Sequence, residues 1–170
     1  MKVAIISDTH DGKSAIKRTL EKMSDRGVDL IVHCGDICSP ATVELFERWE
    51  TVFVFGNGDT RRKQLRQAIS RIGGECFETV GEVADDGKRL CFMHGHNKAM
   101  LLHRIHSFQY DYVAYGHSHK ADEGTIGPTF CINPGSLCDP RTGTFAVLDM
   151  SSGCCEIANL SNSHNRGNHG

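Results

Sequence analysis

The sequence predicts an α/β fold in which two sheets pack between helical layers, and three observations carry that expectation. Short apolar runs recur along the first two-thirds of the chain: Val3-Ala4-Ile5-Ile6, Leu30-Ile31-Val32, Val52-Phe53-Val54-Phe55, Leu90-Cys91-Phe92-Met93 and Tyr112-Val113-Ala114-Tyr115. Continuous apolar runs of this length read as buried strands. Amphipathic stretches alternate with them, so the chain opens as βαβαβα. After residue 120 it turns strand-rich, through Thr129 to Ile132, Thr144 to Leu148 and Cys154 to Ile157.

The helices follow from periodicity. Ile16, Leu20 and Met23 keep one face, with Ser14 as a cap and Gly27 as a stop. Leu45, Phe46 and Trp49 mark a second amphipathic stretch opened by Ser39-Pro40. Leu65, Ala68, Ile69 and Ile72 fill the i, i+3, i+4, i+7 template and end at Gly73-Gly74. Leu101, Leu102, Ile105 and Phe108 make a fourth, and Asp85-Asp86-Gly87 reads as a hairpin turn. A chain of 170 residues is expected to form one domain, over residues 1–160. The polar, Asn/His/Gly-rich end, 161–170, is expected to be disordered.

Composition excludes several classes. Hydrophobic residues at 39% and charged residues at 24% are ordinary for a soluble globular protein. A formal charge of -2 gives no reason to expect nucleic-acid binding through bulk electrostatics. Met1-Lys2 runs directly into a strand and no apolar segment reaches membrane-spanning length, so a cytoplasmic protein is expected. The eight cysteines include the adjacent pair Cys154-Cys155 and do not form the paired C-x-x-C pattern of a structural zinc site. Cys34, Cys91 and Cys131 sit inside strand-like runs, where cysteine acts as a small hydrophobe, and reduced thiols are expected.

The chemistry lies where the runs end. They lead in turn into Asp8-Thr9-His10, Gly35-Asp36, Gly56-Asn57-Gly58-Asp59, His94-Gly95-His96 and Gly116-His117-Ser118-His119. Ligands of open α/β sheets gather outside the carboxyl ends of the strands. Each motif alone has a plainer reading. D-x-H fits a surface turn, Asp36 an N-cap for the helix after Pro40, and Asn57 an N-G turn. A single histidine beside glycine fits a satisfied core residue, and His96 fits either a loop or a contact to substrate. His117-x-His119, however, repeats the spacing of Asp8-x-His10.

Seven ligand-type residues at five strand ends (Asp8, His10, Asp36, Asn57, His94, His117 and His119) are hard to explain by turns and caps. Carboxylate and amide oxygen with imidazole suit Mn, Fe, Co, Ni or Zn, and the lack of thiolates argues against a structural zinc knot. Seven ligands are too many for one catalytic ion with open positions. A shared Asp36 would serve two, in the arrangement that clamps an in-line phosphoryl displacement.

The order D-x-H, GD, GN-x-D, HGH, GH-x-H resembles the calcineurin-like metallophosphoesterases. In length and spacing it is similar to their small bacterial and archaeal phosphodiesterase branch, over residues 1 to about 150. The resemblance implies a four-layer α/β/β/α sandwich of two mixed sheets flanked by helices. It also implies two divalent ions, manganese foremost, with Ni, Fe, Co or Zn as alternatives. By motif, Asp8, His10, Asp36 and His119 would hold one ion, and Asp36, Asn57, His94 and His117 the other. Asp36, Asn57 and His96 are the residues expected at the reaction itself.

The implied activity is hydrolysis of a small organic phosphodiester by a metal-activated hydroxide, with no covalent intermediate. A phosphomonoesterase or protein phosphatase is the alternative. A third reading is a silent scaffold, like a eukaryotic trafficking subunit of this fold. Exposed edge strands would allow a homodimer. Asn133-Pro134-Gly135-Ser136 resembles a loop common in the branch and is read as a turn flanking the site. One position departs from the pattern. The family usually places His, or in this branch often Cys, after the Asn, where this chain has Gly58. That histidine is credited with contacting the phosphoryl group or protonating the leaving oxygen, so its absence tells against monoester hydrolysis. Asp59 would orient a ligand. Thr60-Arg61-Arg62-Lys63 reads as either a solvated helix entry or a contact to a substrate phosphate.

Overall fold

The computed structural model describes residues 1–161, so the expected disordered tail falls outside the described residues apart from Ser161. The first sheet is formed by β1 (Lys2–Ile6), β2 (Leu30–His33), β3 (Thr51–Phe53), β4 (Glu75–Cys76), β10 (Thr144–Asp149) and β11 (Cys155–Asn159), in the order β11-β10-β1-β2-β3-β4. The run β1 to β4 is parallel, and β10 and β11 join antiparallel. The second sheet contains β5 (Val80–Asp85), β6 (Lys88–Met93), β7 (Tyr112–Ala114), β8 (Ala121–Ile126) and β9 (Thr129–Pro134), in the order β5-β6-β7-β9-β8. Here β6, β7 and β9 are parallel, and β5 and β8 are antiparallel edges.

Alternation along each strand builds the layers. Val3 and Ile5 enter a core between the sheets with Val32, Phe92, Ala114 and Ile132. Their neighbours Ala4 and Ile6 face the other way, into a core with Ile16, Leu65 and Ile69. Those residues come from α1 (Lys13–Ser24) and α3 (Arg62–Arg71), which cover the first sheet together with α2 (Pro40–Val43). Cys91, Met93 and Val113 pack against Ile105 of α4 (Lys98–His106), which covers the second sheet. The result is helices, sheet, sheet and helix, the layering that the resemblance implied.

Local details differ from the periodicity. Helix α1 starts after Gly12, with no side-chain cap, so Ser14 lies inside the first turn rather than capping it. The second stretch is a single α-turn continued by a 3-10 turn at Glu44–Phe46. The chain must enter β3 at Thr51, which leaves no length for a regular helix through Trp49. On α4 only Ile105 is buried, while Leu102 and, beyond the helix end, Phe108 are each 51% exposed. Strand β8, Ala-Asp-Glu-Gly-Thr-Ile, is exposed along its whole length and carries no apolar alternation, so periodicity could not reveal it. Asp122 and Glu123 put charge on that edge, a common guard against unwanted strand pairing.

Candidate metal centre

Strands β1, β2 and β3 of the first sheet and β6 and β7 of the second deliver their following loops to one edge of the sandwich. Backbone bonds stitch the loops together. Asp8 N–H donates to Gly35 O at 3.0 Å, His10 N–H to Asp36 O at 3.0 Å, and Gly116 N–H to His94 O at 3.0 Å. Glycine beside the ligand-type residues is a matter of room. A Cβ on Gly56 would overlap Asp36 Oδ1, and one on Gly116 would overlap Ser7 Oγ. Several of the other residues take left-handed backbone: Asp8 (φ 51), His10 (φ 40), Asp36 (φ 58), His117 (φ 71) and His119 (φ 59). Such conformations cost about 1–3 kcal/mol each and persist only where surrounding structure over-determines them.

Asp59 does much of that restraining, and it is only 2% exposed. Its Oδ2 accepts from the N–H groups of Asp36 (2.9 Å) and Gly56 (2.8 Å), and its Oδ1 from those of Ile37 and Cys38 (both 2.8 Å). It therefore holds the loop backbone on both sides of Asp36. Gly58 N–H donates to Asp36 Oδ1 at 2.7 Å. Asn133 is buried and donates to Gly116 O and Ser118 Oγ, while Ser136 Oγ donates to Asp8 O at 2.8 Å. The Asn-Pro-Gly-Ser loop thus flanks the site as a brace.

Asp8 is fully buried, and its Oδ2 accepts from Ser7 Oγ (2.6 Å) and His117 N–H (2.9 Å). Its Oδ1 is buried with no hydrogen-bond donor among the described residues. His94 is 1% exposed. Its Nδ1 lies 2.9 Å from Cys34 O, which can only accept, so Nδ1 carries a hydrogen and Nε2 is the nitrogen whose lone pair can take a metal ion. That Nε2 is likewise buried without a hydrogen-bond partner among the described residues. Asp36 Oδ2 stands 3.5 Å from both His94 Nε2 and His10 Nε2. His119 Nε2 lies 3.2 Å from Asp8 Oδ1 and 3.3 Å from His10 Nε2.

Two groups of ligand atoms result, each lying within 4.8 Å of one another: Asp8, His10 and His119, and Asp8, Asp36 and His94. Asp8 Oδ1 and His94 Nε2 find no hydrogen-bond partner among the described residues, whereas His10 Nε2 and His119 Nε2 stand within hydrogen-bond distance of each other at 3.3 Å. A buried acceptor left unpaired costs about 1–3 kcal/mol, more when charged. A cation removes that cost, and hard oxygen with imidazole nitrogen is a donor set suited to a divalent transition ion. These residues fit a metal.

Five of the seven expected ligands meet in these groups. His117 stands beside them, its ring centroid 5.1 Å from that of His94. Asn57 is exposed, set next to Asp36 by its two flanking glycines. His96 lies at the rim, 5.4 Å from the His94 ring and 6.2 Å from the His117 ring. Partial burial first, then His94 and His117, lowers its pKa. The groups share Asp8, whereas the motif assignment shares Asp36, yet Asp36 Oδ2 is the atom placed between His10 and His94. The cysteines stay apart from the ligand atoms, and all eight are free. Cys38 Sγ touches His10 at Nδ1, 3.6 Å away on the ring edge opposite Nε2.

Sequence reasoning did not single out Ser7, the Cys34 carbonyl, or the pair Thr9 and His33. None carries a local signal, because each matters only through partners distant in the chain.

Comparison with known proteins agrees with this architecture. The family model for the calcineurin-like phosphoesterase superfamily domain matches residues 1–153. Phosphodiesterase MJ0936 of Methanocaldococcus jannaschii is 33% identical over 154 residues, covering 88% of this chain and 93% of that protein. A solved archaeal phosphodiesterase superposes with a TM-score of 0.87 at 30% identity, over 94% of this chain and 100% of the other. Zinc-bound Vps29 of Entamoeba histolytica shares the fold at a TM-score of 0.67 and 18% identity, over 94% of this chain and 99% of the other. With the family model spanning β1 to β10 and all five loop motifs, the chain belongs to the calcineurin-like phosphoesterase superfamily.

Proposed function

We propose that this protein is a metal-dependent phosphodiesterase acting on a small organic phosphodiester. The observation that carries the reading is the pair of buried atoms, Asp8 Oδ1 and His94 Nε2, which find no hydrogen-bond partner among the described residues where the loop motifs converge. Asp8, His10, Asp36 and His119 would hold one divalent ion, and Asp36, Asn57, His94 and His117 a second, with manganese the first candidate. Bound ions supply Lewis acidity at the phosphoryl oxygens and lower the pKa of the attacking water.

The protein's own contribution is positioning. Asp36 is held by Gly58 N–H and by the Asp59 clamp, which sets its Oδ2 between the two halves of the centre. His96, exposed at the rim beside His94 and His117, would meet the substrate. Gly58 offers no side chain to protonate a leaving oxygen. A positioned general acid typically contributes about 10²–10⁴-fold, mostly for poor leaving groups. Diesters with acidic leaving alcohols are therefore the expected substrates, and alkyl monoesters poor ones. The eight free cysteines suit a reducing compartment, in keeping with a cytoplasmic enzyme.

The test uses bis(p-nitrophenyl) phosphate and p-nitrophenyl phosphate before and after exhaustive chelation, then with Mn, Ni, Co or Zn added back. Diester hydrolysis should vanish with the metal, return with manganese, and exceed monoester hydrolysis in kcat/KM. Undiminished turnover after metal removal would overturn the reading. A preference for the monoester would make the protein a phosphatase. Metal binding with no hydrolysis of either would make it a scaffold.

A further inference from the structure

We infer that His33 and Thr9 act as a positioning pair that sets the spacing between the Asp8–His10 loop and the Asp36 loop. This rests on the metal-centre reading above. His33 is the last residue of β2 and is fully buried. Its ring stacks on Phe53 with centroids 5.7 Å apart and meets the edge of Phe46 at 5.9 Å. An apolar side chain would fill that space without the cost of burying polar atoms. The polar atoms of the imidazole are spent on two loops only.

Their hydrogen bonds have one consistent direction. Gly35 N–H donates to His33 Nδ1 at 3.1 Å, so Nδ1 accepts and the ring hydrogen sits on Nε2. His33 Nε2 is 3.1 Å from Thr9 Oγ1 and donates to it. The Thr9 hydroxyl in turn donates to Asp36 O at 3.3 Å. Gly35 immediately precedes Asp36, and Thr9 lies between Asp8 and His10. The relay therefore ties together two loops whose key residues are left-handed and need outside restraint. Burial pushes the His33 pKa down to about 3, so the ring stays neutral in this tautomer over the working range. Neither side chain offers an atom to the ions. Their effect is exerted through the separation of Asp8, His10 and Asp36.

Three variants test the pair: Thr9→Val, which keeps shape and loses the hydroxyl, Thr9→Ser, which keeps the hydroxyl, and His33→Phe, which keeps the aromatic stack. Two readouts are used. In metal-free wild-type protein, nitrogen NMR of the imidazoles should show His33 as the Nε2–H tautomer. Manganese titration followed by electron paramagnetic resonance should report both affinity and the spin-coupled signal of a close ion pair. Loss of an outer hydrogen-bond partner typically lowers metal affinity about 10–100-fold. A loss of that size is expected in Thr9→Val and His33→Phe, with the coupled signal gone at stoichiometric metal and the apoprotein still folded. Thr9→Ser should retain wild-type affinity and signal. If His33→Phe fails to fold, the two Thr9 variants decide.

Wild-type manganese binding in Thr9→Val, or equal losses in Thr9→Ser and Thr9→Val, overturns the inference. So does an Nδ1–H or averaged His33 ring. Wild-type protein that shows the Nε2–H tautomer but binds none of manganese, nickel, cobalt, iron and zinc instead sinks the metal-centre reading, and the positioning role with it.

Discussion

Asp8, Asp36 and His94 are between 0% and 3% exposed, while the side chains of His10 and His119 keep 34% and 45% of their surface in solvent. The same residue types thus build one sealed and one open half of a single centre. In the sealed half bulk solvent does not reach Asp8 Oδ1 or His94 Nε2, and neither has a partner among the described residues. In the open half, solvent can hydrate the imidazoles when an ion leaves. Burial, more than ligand chemistry, should decide which ion is held harder.

Asp36 Oδ2 stands 3.5 Å from one imidazole of each half, and removing its charge should produce the largest effect. Asp36→Asn keeps the shape and can still accept from Gly58 N–H. Metal content and turnover should fall together, by at least about 100-fold, the upper end of what losing a mere outer partner costs. Elemental analysis paired with diester kinetics checks this, and a variant that kept two ions and full turnover would refute a shared Asp36.

Next in size is the contrast between the halves. During timed chelation the ion bound by His10 and His119 should leave first, giving two release phases by elemental analysis. His10→Ala should weaken one ion about 10–100-fold and spare the other. His94→Ala should cost more, because Asp8 and Asp36 then face each other in a sealed space with neither imidazole nor ion between them. Release in one phase, or equal losses in the two variants, would mean that exposure does not govern affinity here.

The smallest effect concerns Gly58. A Cβ there would lie 3.0–3.2 Å from the Asp36 carboxylate, so a side chain requires Asp36 to give by a few tenths of an ångström. Gly58→His should raise monoester relative to diester kcat/KM by about tenfold, below the full value of an evolved general acid. Gly58→Ala, which adds the contact without the imidazole, should leave the ratio unchanged. A shift of the same size in Gly58→Ala would trace the effect to Asp36.

Part of this was legible along the chain. The central strands announced themselves because burial on both faces demands an unbroken apolar run. Strand β8 carried no such signal, since an exposed edge has no face to bury. Strand β4, two residues long, is too short for any period to show. The helical face assigned to Leu102 and Phe108 faces solvent, because spacing alone does not say how wide a stripe a single covering helix must bury.

The site divides the same way. Local sequence determined which side chains stand at the strand ends and why glycine accompanies them, because both are properties of a few adjacent residues. It also exposed the departure at Gly58. Which oxygen or nitrogen is left without a partner was decided only by the folded chain. Asp8 Oδ2 is occupied by the backbone of His117, 109 positions away, and His94 Nδ1 by the carbonyl of Cys34, 60 positions away. Hydrogen-bond saturation is a property of neighbours in space. The two orphaned atoms that call for a cation therefore exist only once both sheets have brought their loops to one edge.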